Sequence, residues 1–479
     1  MAASAPSEPA SAQHAFDLNI DKVLEHWTVP FALRELIANA LDEQALTGTA
    51  DPEILDDAAG AWHIRDFGLI LRYQHLSQNE SREKKRSAAV IGQFGVGLKD
   101  ALAVFERRRV GVTIRSPHGD IRIGRRPKAN FTDMVVLHAL VDPPSDPRMV
   151  GTDVVLAAVT AEQVEAAKAL FLQFSDDTVL ETTEVGQVLA KAALRRPGRI
   201  YVKGLLVVEE PNFLFSYNIT ALNTPLRRAL NRERSNVGRT AYTDRVKKIL
   251  TSCTGHAVAG PLAADLAEYE TGRAHDELLS WTEVAVHACR VLQTHEKVVF
   301  VTAFDLAEGS PQLDYARDEG YRLVVVPGTV AAKLGRLTDL AGQPMIDLSK
   351  YREQWNNSFS FTFVGREQLS AAERAVFDQA PRIVALTGRR LGAGLVRQIL
   401  ISETMRLSEA GGMTLGLWRP DEHDVIVRRD QVASLSAFVA VVLHELGHAF
   451  SGETDGSLAF EEELTRLLGV VAQACLSSQ

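Results

Sequence analysis

The chain has 479 residues, 46% hydrophobic and 24% charged, with a formal net charge of −9. That length and apolar content predict roughly three domains, each able to build its own core. The acidic balance argues against a nucleic-acid binder acting through bulk charge. The three cysteines, Cys253, Cys289 and Cys475, lie far apart with no CxxC spacing, which fits a reducing cytoplasm and argues against a cysteine-ligated metal. No uninterrupted apolar run is long enough to cross a bilayer, so no membrane partner is expected.

The first fifteen residues are rich in Ala, Ser and Pro and read as a disordered tail; without a basic start or an apolar segment they do not read as a signal peptide. A helical pattern then runs through Asp21–Gln44, with a break expected near Pro30. A strand follows at Trp62–Arg65, and the polar stretch Gln74–Ala88 reads as a mobile loop. Glycine-rich Ile91–Gly97 runs into a helix, Leu98–Arg107. Strands are predicted at Val110–Arg115, Asp120–Gly124, Met134–Leu140 and Gly151–Ala157.

A second block carries predicted helices around Ala161–Phe174 and Val185–Leu194, a strand at Arg199–Glu209 and a basic stretch, Pro225–Arg239. Between Leu262 and Leu348, apolar strands at Lys297–Thr302 and Tyr321–Val326 flank a helical stretch, the pattern of an α/β unit. From Leu369 onward the chain reads as helical, interrupted by short strands at Leu415–Trp418 and Asp424–Arg428.

Two constellations carry chemistry. In the first, Glu35, Asn39 and Asp42 stand at i, i+4 and i+7 on one face of a helix whose Leu33, Leu36, Ile37 and Leu41 must be buried. Such polar groups are costly there unless they line a site. Asp66 ends an apolar strand and is followed by a turn at Gly68, which puts a carboxylate at a pocket rim. Gly92, Gly95 and Gly97 let backbone N–H groups approach an anion. The positive end of the following helix, with Lys99 in its first turn, points the same way.

The segments ELIANALDE, DFG and GQFGVGLK, followed by Gly151-Thr152 before a strand, together resemble the Bergerat ATP fold. That is the GHKL superfamily of gyrase B, Hsp90, histidine kinases, MutL and MORC proteins. The resemblance covers about residues 15–160 and implies an α/β sandwich with ATP under a lid. It implies Glu35 as general base, Asn39 as the Mg²⁺ ligand, and Asp66 on adenine with help from Thr152. Gly92, Gly95, Gly97 and Lys99 would meet the phosphates, and Asp42 would support the site from behind. One departure is Ile70, where the family's adenine-side box has a second glycine. The superfamily often draws a basic residue for the γ-phosphate from a second domain, and the run Arg227–Arg234 is the candidate for it.

The second constellation is His444-Glu445-Leu446-Gly447-His448, set in the otherwise apolar run Phe438–Phe450. Two histidines one helical turn apart can reach one Zn²⁺, leaving Glu445 to take a proton from an attacking water. The segment resembles the gluzincin branch of zinc peptidases, in which a Glu of the next helix completes the site. Glu462 is the choice, because Thr465 then supplies the small residue expected one turn on; Glu461, Glu463 and Asp455 are alternatives. HELGHAFSGETD comes near a metzincin pattern but is one residue too long for it. The Arg428–Asp430 segment closes a strand that would hold substrate backbone as a sheet edge.

The expected architecture is α+β and multidomain. A tail at 1–15 precedes a GHKL ATP-binding domain at 16–160, a transducer-like α/β domain at 161–260 and an α/β linker domain at 261–360. A mostly helical zincin-like metallopeptidase domain at 361–479 completes it. The expected function is cytoplasmic ATP binding and hydrolysis that gates a zinc-dependent peptidase, with ATP, Mg²⁺ and Zn²⁺ as cofactors and a peptide or protein as substrate. Pairing into a homodimer on ATP binding is implied by the GHKL resemblance. The competing expectations are an Hsp90-like or MORC-like clamp with a non-catalytic zinc domain, and a stress or phage-defence effector.

Overall fold

Pro30 starts a helix rather than breaking one. Helix α1 runs Val29–Thr47 with Pro30 in its first turn, where its missing N–H costs no hydrogen bond, and ends at Gly48 in the left-handed conformation (φ 66°). The structure is a computed structural model. It describes residues 14–18, 24–68, 71, 76, 91, 97–128, 131–193, 195–230, 237–392, 394–408 and 411–477, with 131–133 as backbone only. Ile70, Gly92, Gly95, most of the Gln74–Ala88 loop, most of the N-terminal tail and the second half of the basic run at 227–234 lie outside the described residues.

The protein mixes α and β structure in two compact units, Met1–Val291 and Leu292–Gln479. The division falls inside the 261–360 stretch that the sequence reading treats as one domain. Among the described residues, no helix is long and apolar enough to cross a membrane.

The first unit opens with a seven-stranded sheet. Its strands are β1 (His14–Asp17), β2 (Glu53–Asp56), β3 (Trp62–Asp66), β4 (Gly111–Ser116), β5 (Gly119–Lys128), β6 (Phe131–Asp142) and β7 (Thr152–Ala157). They are ordered β1-β6-β5-β4-β7-β3-β2, and every pair is antiparallel. α1, α2 (Gly97–Arg107) and α3 (Ala161–Lys168) pack together, with α1 on β3 and α2 on β4 and β5. Period-2 alternation explains the shared core: Ile64, Val112, Ile114, Ile121, Val154 and Leu156 are buried with Leu33, Ile37, Leu102 and Phe105 of the helices.

A five-stranded sheet follows: β8 (Thr178–Thr182), β9 (Gly186–Ala190), β10 (Gly198–Val202), β11 (Leu205–Glu210) and β12 (Ser216–Ile219). The order is β11-β10-β12-β9-β8, with β10 and β12 parallel. Two expectations are corrected here. The stretch expected as helix at Val185–Leu194 holds strand β9 (Gly186–Ala190) instead: Val188 and Leu189 are both fully buried, and pairing with β8 and β12 overrides their helix propensity. Arg199–Glu209 is not one strand but a hairpin turning at Lys203 (φ 50°) and Gly204 (φ 82°). The helices after it are α4 (Thr224–Ala229), α5 (Arg239–Leu250), α6 (His256–Asp265), α7 (Asp276–Leu279) and α8 (Thr282–His295).

In the second unit, β13 (Val298–Val301) and β14 (Arg322–Val325) are parallel and joined through α9 (Ala303–Glu308) and α10 (Pro311–Asp318), the expected α/β unit. α11 (Gly328–Leu334) and α12 (Leu348–Ser358) follow. A four-stranded sheet then combines β15 (Phe363–Val364), β16 (Gln398–Ser402), β17 (Gly416–Arg419) and β18 (Asp424–Arg428) in the order β15-β16-β18-β17. Beside it stand α13 (Ala371–Phe377), α14 (Ala380–Leu386) and two long helices, α15 (Leu435–Ser451) and α16 (Leu458–Ser477). Two of these strands escaped the sequence reading. β18 is also an interior strand, paired on both sides, so the edge expected at Arg428 belongs instead to β17.

Candidate functional site

Helix α1 carries the first set of predicted residues. Glu35 and Asp42 are buried in its inner face, and Asn39 between them is partly exposed. The Glu35 carboxylate accepts from the buried Arg34 guanidinium at 2.7 and 3.1 Å. Arg34 is itself held over the rings of Trp27 and Phe31. Asp42 accepts from the Ile91 N–H at 2.5 Å, so it anchors the chain where the glycine-rich segment begins. At the other end of that segment, Gly97 lies directly against the Glu35 carboxylate, where a Cβ would collide with it. Lys99 is buried in the first turn of α2; burial lowers its ammonium pKa, and the neighbouring Asp100 partly offsets this.

Asp66 and Thr152 stand opposite each other where β3 pairs with β7. The Asp66 carboxylate accepts from the Gly68 N–H at 3.0 Å, closing the turn, and the Thr152 hydroxyl accepts from the Leu71 N–H at 3.2 Å. Gly151 (φ 79°) sits on the backbone of Asp66 and Phe67, leaving no room for a side chain. Gly68 is pressed onto α1, 2.9 Å from the Glu43 Cβ measured from where its own Cβ would stand. Glu35 is therefore brought to Gly97, Asp42 to Ile91 and Asp66 to Thr152; α1 carries the first two and packs on β3, which carries the third. A cavity beside Asp42 and Ile91 is lined by Phe171, Gln173, Lys203 and Gly204. Among the described residues that line this cavity, the cation is Lys203 of the β10–β11 turn. Arg227 and Arg228 are exposed on α4. No local motif marks Lys203; only the folding of the second sheet brings it here.

The second set sits on α15. Ser434 caps the helix start, and Gly452 (φ 71°) ends it in a left-handed turn. The chain then doubles back and brings Asp455 to the two histidines. His444 Nε2 and His448 Nε2 are 3.2 Å apart, and Asp455 Oδ1 lies 3.2 Å from the first and 3.4 Å from the second. These three are the group able to hold a metal among the described residues. Donors at zinc's usual bond lengths of roughly 2.0–2.1 Å on a tetrahedron stand about 3.3–3.4 Å apart, so the triangle has the right size for such an ion. His448 Nδ1 lies 2.8 Å from the Glu453 carbonyl; donating there leaves Nε2 with a free lone pair.

Glu462, the residue expected to complete the site, does not join this group. α16 turns Phe460, Leu464 and Leu467 inward, and Glu462 falls two residues, about 200°, from Phe460 and is exposed. Glu461 is also exposed, and Glu463 is paired with Arg466 at 2.6 and 2.8 Å.

Glu445 is buried under β17. Its carboxylate lies 2.6 Å from where a Cβ of Gly416 would stand, so only glycine leaves it room. Burial pushes the Glu445 carboxyl up to about 8, opposed by the Trp418 backbone N–H and reinforced by the Asp455 charge. Phe460 closes the far side of the histidines, stacked on His448 with centroids 4.3 Å apart and edge-on to His444 at 5.1 Å. Gly416, Trp418 and Phe460 escape sequence reasoning because they reach the site from β17 and α16, not from the helix that carries the histidines.

Residues 162–256, the five-stranded sheet with its flanking helices, match the family described as the Mycoplasma pneumoniae MPN635 N-terminal domain. An uncharacterized protein of Mycoplasma pneumoniae (strain ATCC 29342 / M129 / Subtype 1) is 35% identical over 241 residues, covering 49% of this chain and 96% of that protein. A second uncharacterized protein of the same strain is 22% identical over 352 residues, covering 68% of this chain and 96% of the relative. By the extent and identity of the first match, the chain belongs to the same family as that Mycoplasma pneumoniae protein.

Proposed function

We propose that the chain is a GHKL-type ATPase joined to a zinc-dependent peptidase, with the ATP state of the first unit gating cleavage by the second. The observation that carries the peptidase half is the donor triangle of His444, His448 and Asp455 beside a buried carboxyl, Glu445. A bound zinc ion supplies Lewis acidity there. The chain's own residues do the rest. His448 is oriented through its Nδ1, Asp455 brings negative charge, and Glu445 takes the proton of the attacking water and delivers it to the leaving amine. Among the described residues β17 is the edge strand of its sheet and lies over Glu445, and an extended peptide adds to it as a further strand. In this reading the C-terminal region is zincin-like, with its third ligand taken from the turn after the HExxH helix.

Support for the ATPase half comes from Glu35 lying against Gly97, Asp42 holding Ile91, and Asp66 facing Thr152 on an antiparallel sheet covered on one face by helices, the layout of a Bergerat sandwich. In this reading Asp66 and Thr152 take the adenine edge and Asn39 binds Mg²⁺. Gly97 and Lys99 face the phosphates, and Glu35 orients the attacking water. Lys203 is the second-domain cation. Coupling of the two halves rests on their sharing one chain.

The deciding experiment measures zinc content, ATP turnover and cleavage of a diverse peptide library for the wild-type chain, Glu445→Gln and Glu35→Ala. Zinc-dependent cleavage lost in Glu445→Gln, and altered in Glu35→Ala, is the expected result. ATP turnover with no cleavage by either wild type or Glu445→Gln would replace this reading with an ATP-driven clamp.

A further inference from the structure

The imidazole torsion of a histidine is soft, so a helix carrying two histidines one turn apart does not by itself aim both Nε2 atoms at one point. Asp455 contributes little to that aim, because its side chain is 71% exposed on a turn. Phe460 stands differently: it is 3% exposed, and its ring packs on both imidazoles at once. The ring lies nearly parallel to His448 (20°, 4.3 Å) and nearly perpendicular to His444 (72°, 5.1 Å). The two imidazoles are themselves perpendicular, at 84°. The wedge fits because position 447 is glycine: a Cβ there would stand 2.9 Å from Phe460 Cε2.

We infer that Phe460, seated in the slot left by Gly447, is a positioning residue that holds His444 and His448 with their Nε2 atoms converged for a divalent ion. The inference rests on the zinc reading above. It assigns an apolar residue of the last helix to metal affinity. A ring in van der Waals contact with both imidazoles removes rotamers that the free side chains would otherwise populate, and that ordering is done before the ion arrives. The wedge also closes one side of the site to water, which strengthens the interaction of the ion with its donors.

The test uses full-length protein and Zn²⁺ alone, with affinity read by competition against a chromophoric chelator. Wild type is compared with Phe460→Leu, which keeps an apolar volume in place, and with Gly447→Ala, which moves the ring without removing it. Unfolding of the metal-free proteins is followed in parallel. Expected is a zinc affinity lowered by roughly 10–100-fold in both variants, while metal-free unfolding of Phe460→Leu stays near wild type. The Co²⁺-loaded protein should lose the intense visible bands of a tetrahedral site in both variants. Wild-type affinity in Phe460→Leu, or a loss that merely follows lowered metal-free stability, would overturn the inference while leaving the zinc site standing. Failure of the wild-type chain itself to bind Zn²⁺ would overturn both.

Discussion

Glu35 and Gly97 meet across two helices, and the contact is close enough that any side chain at position 97 would displace the Glu35 carboxylate. A residue near the middle of α1 is thereby tied to the point where the glycine-rich segment becomes α2. Gly97→Ala is expected to cost about 1–3 kcal/mol of stability through overpacking, and to lower ATP turnover by a larger factor than ATP binding. Glu35→Ala should lower turnover by about 10²–10⁴-fold with binding retained, the range of a lost general base. Single-turnover hydrolysis beside calorimetric titration with Mg·ATP measures both; equal loss of binding and turnover in Glu35→Ala would remove Glu35 from the chemistry.

Asp455 and Glu462 make opposite predictions. Asp455→Ala should lower zinc content and affinity, and Glu462→Ala should leave both unchanged, because only the former reaches the histidines. Elemental analysis after dialysis against a weak chelator distinguishes them. Zinc should also raise the unfolding free energy of the wild-type chain by about 2.7 kcal/mol at a hundredfold excess over Kd, an effect that His444→Ala abolishes.

The Arg429 guanidinium holds the half-buried Glu373 carboxyl down at about 2, from an ordinary 4.5, through hydrogen bonds of 2.9 and 3.2 Å. A carboxyl lowered on folding contributes stability that is present above 4.5 and is lost as pH falls through about 2. Acid unfolding of the second unit should therefore steepen between those two values. Glu373→Gln should flatten that part of the profile without changing stability near pH 2. A circular-dichroism titration of wild type and variant tests this, and superposed profiles would count against it.

Glu277 is fully buried, and its carboxylate accepts from the Leu214 and Phe215 N–H groups and the Tyr217 hydroxyl at 2.9–3.2 Å. Burial raises both the Glu277 and Tyr217 pKa values, yet three donors converge on the acid. Glu277→Ala strands those donors and should cost about 3 kcal/mol or more. Urea unfolding of the first unit reads the loss; a change below about 1 kcal/mol would mean that water or a neighbour satisfies them.

The features legible in the sequence are those carried by local periodicity. Glu35, Asn39 and Asp42 share a helix face because the α-helix repeats every 3.6 residues, and His444 and His448 sit one turn apart for the same reason. The strand ending at Asp66 and the glycine-threonine step before β7 were legible too, since alternation and turn chemistry are short-range signals. Val185–Leu194 misled because its apolar run satisfies either period, and burial between β8 and β12 decided the outcome.

The sequence by itself determined which polar residues share a helix face, Glu35, Asn39 and Asp42 on one helix and His444 and His448 on another, because side-chain spacing on a helix needs no partner. Tertiary structure decided which side chains from elsewhere in the chain stand beside them. Asp455, not Glu462, stands beside the histidines because the left-handed turn at Gly452 sends the chain back over α15, while Glu462 lies on the outer face of α16. β17, not β18, forms the sheet edge over Glu445 because strand order follows from packing rather than chain order. Lys203 faces the cavity beside Asp42 because a hairpin folds toward it. In each case the decisive neighbour is supplied by another element, and no local period records which elements will meet.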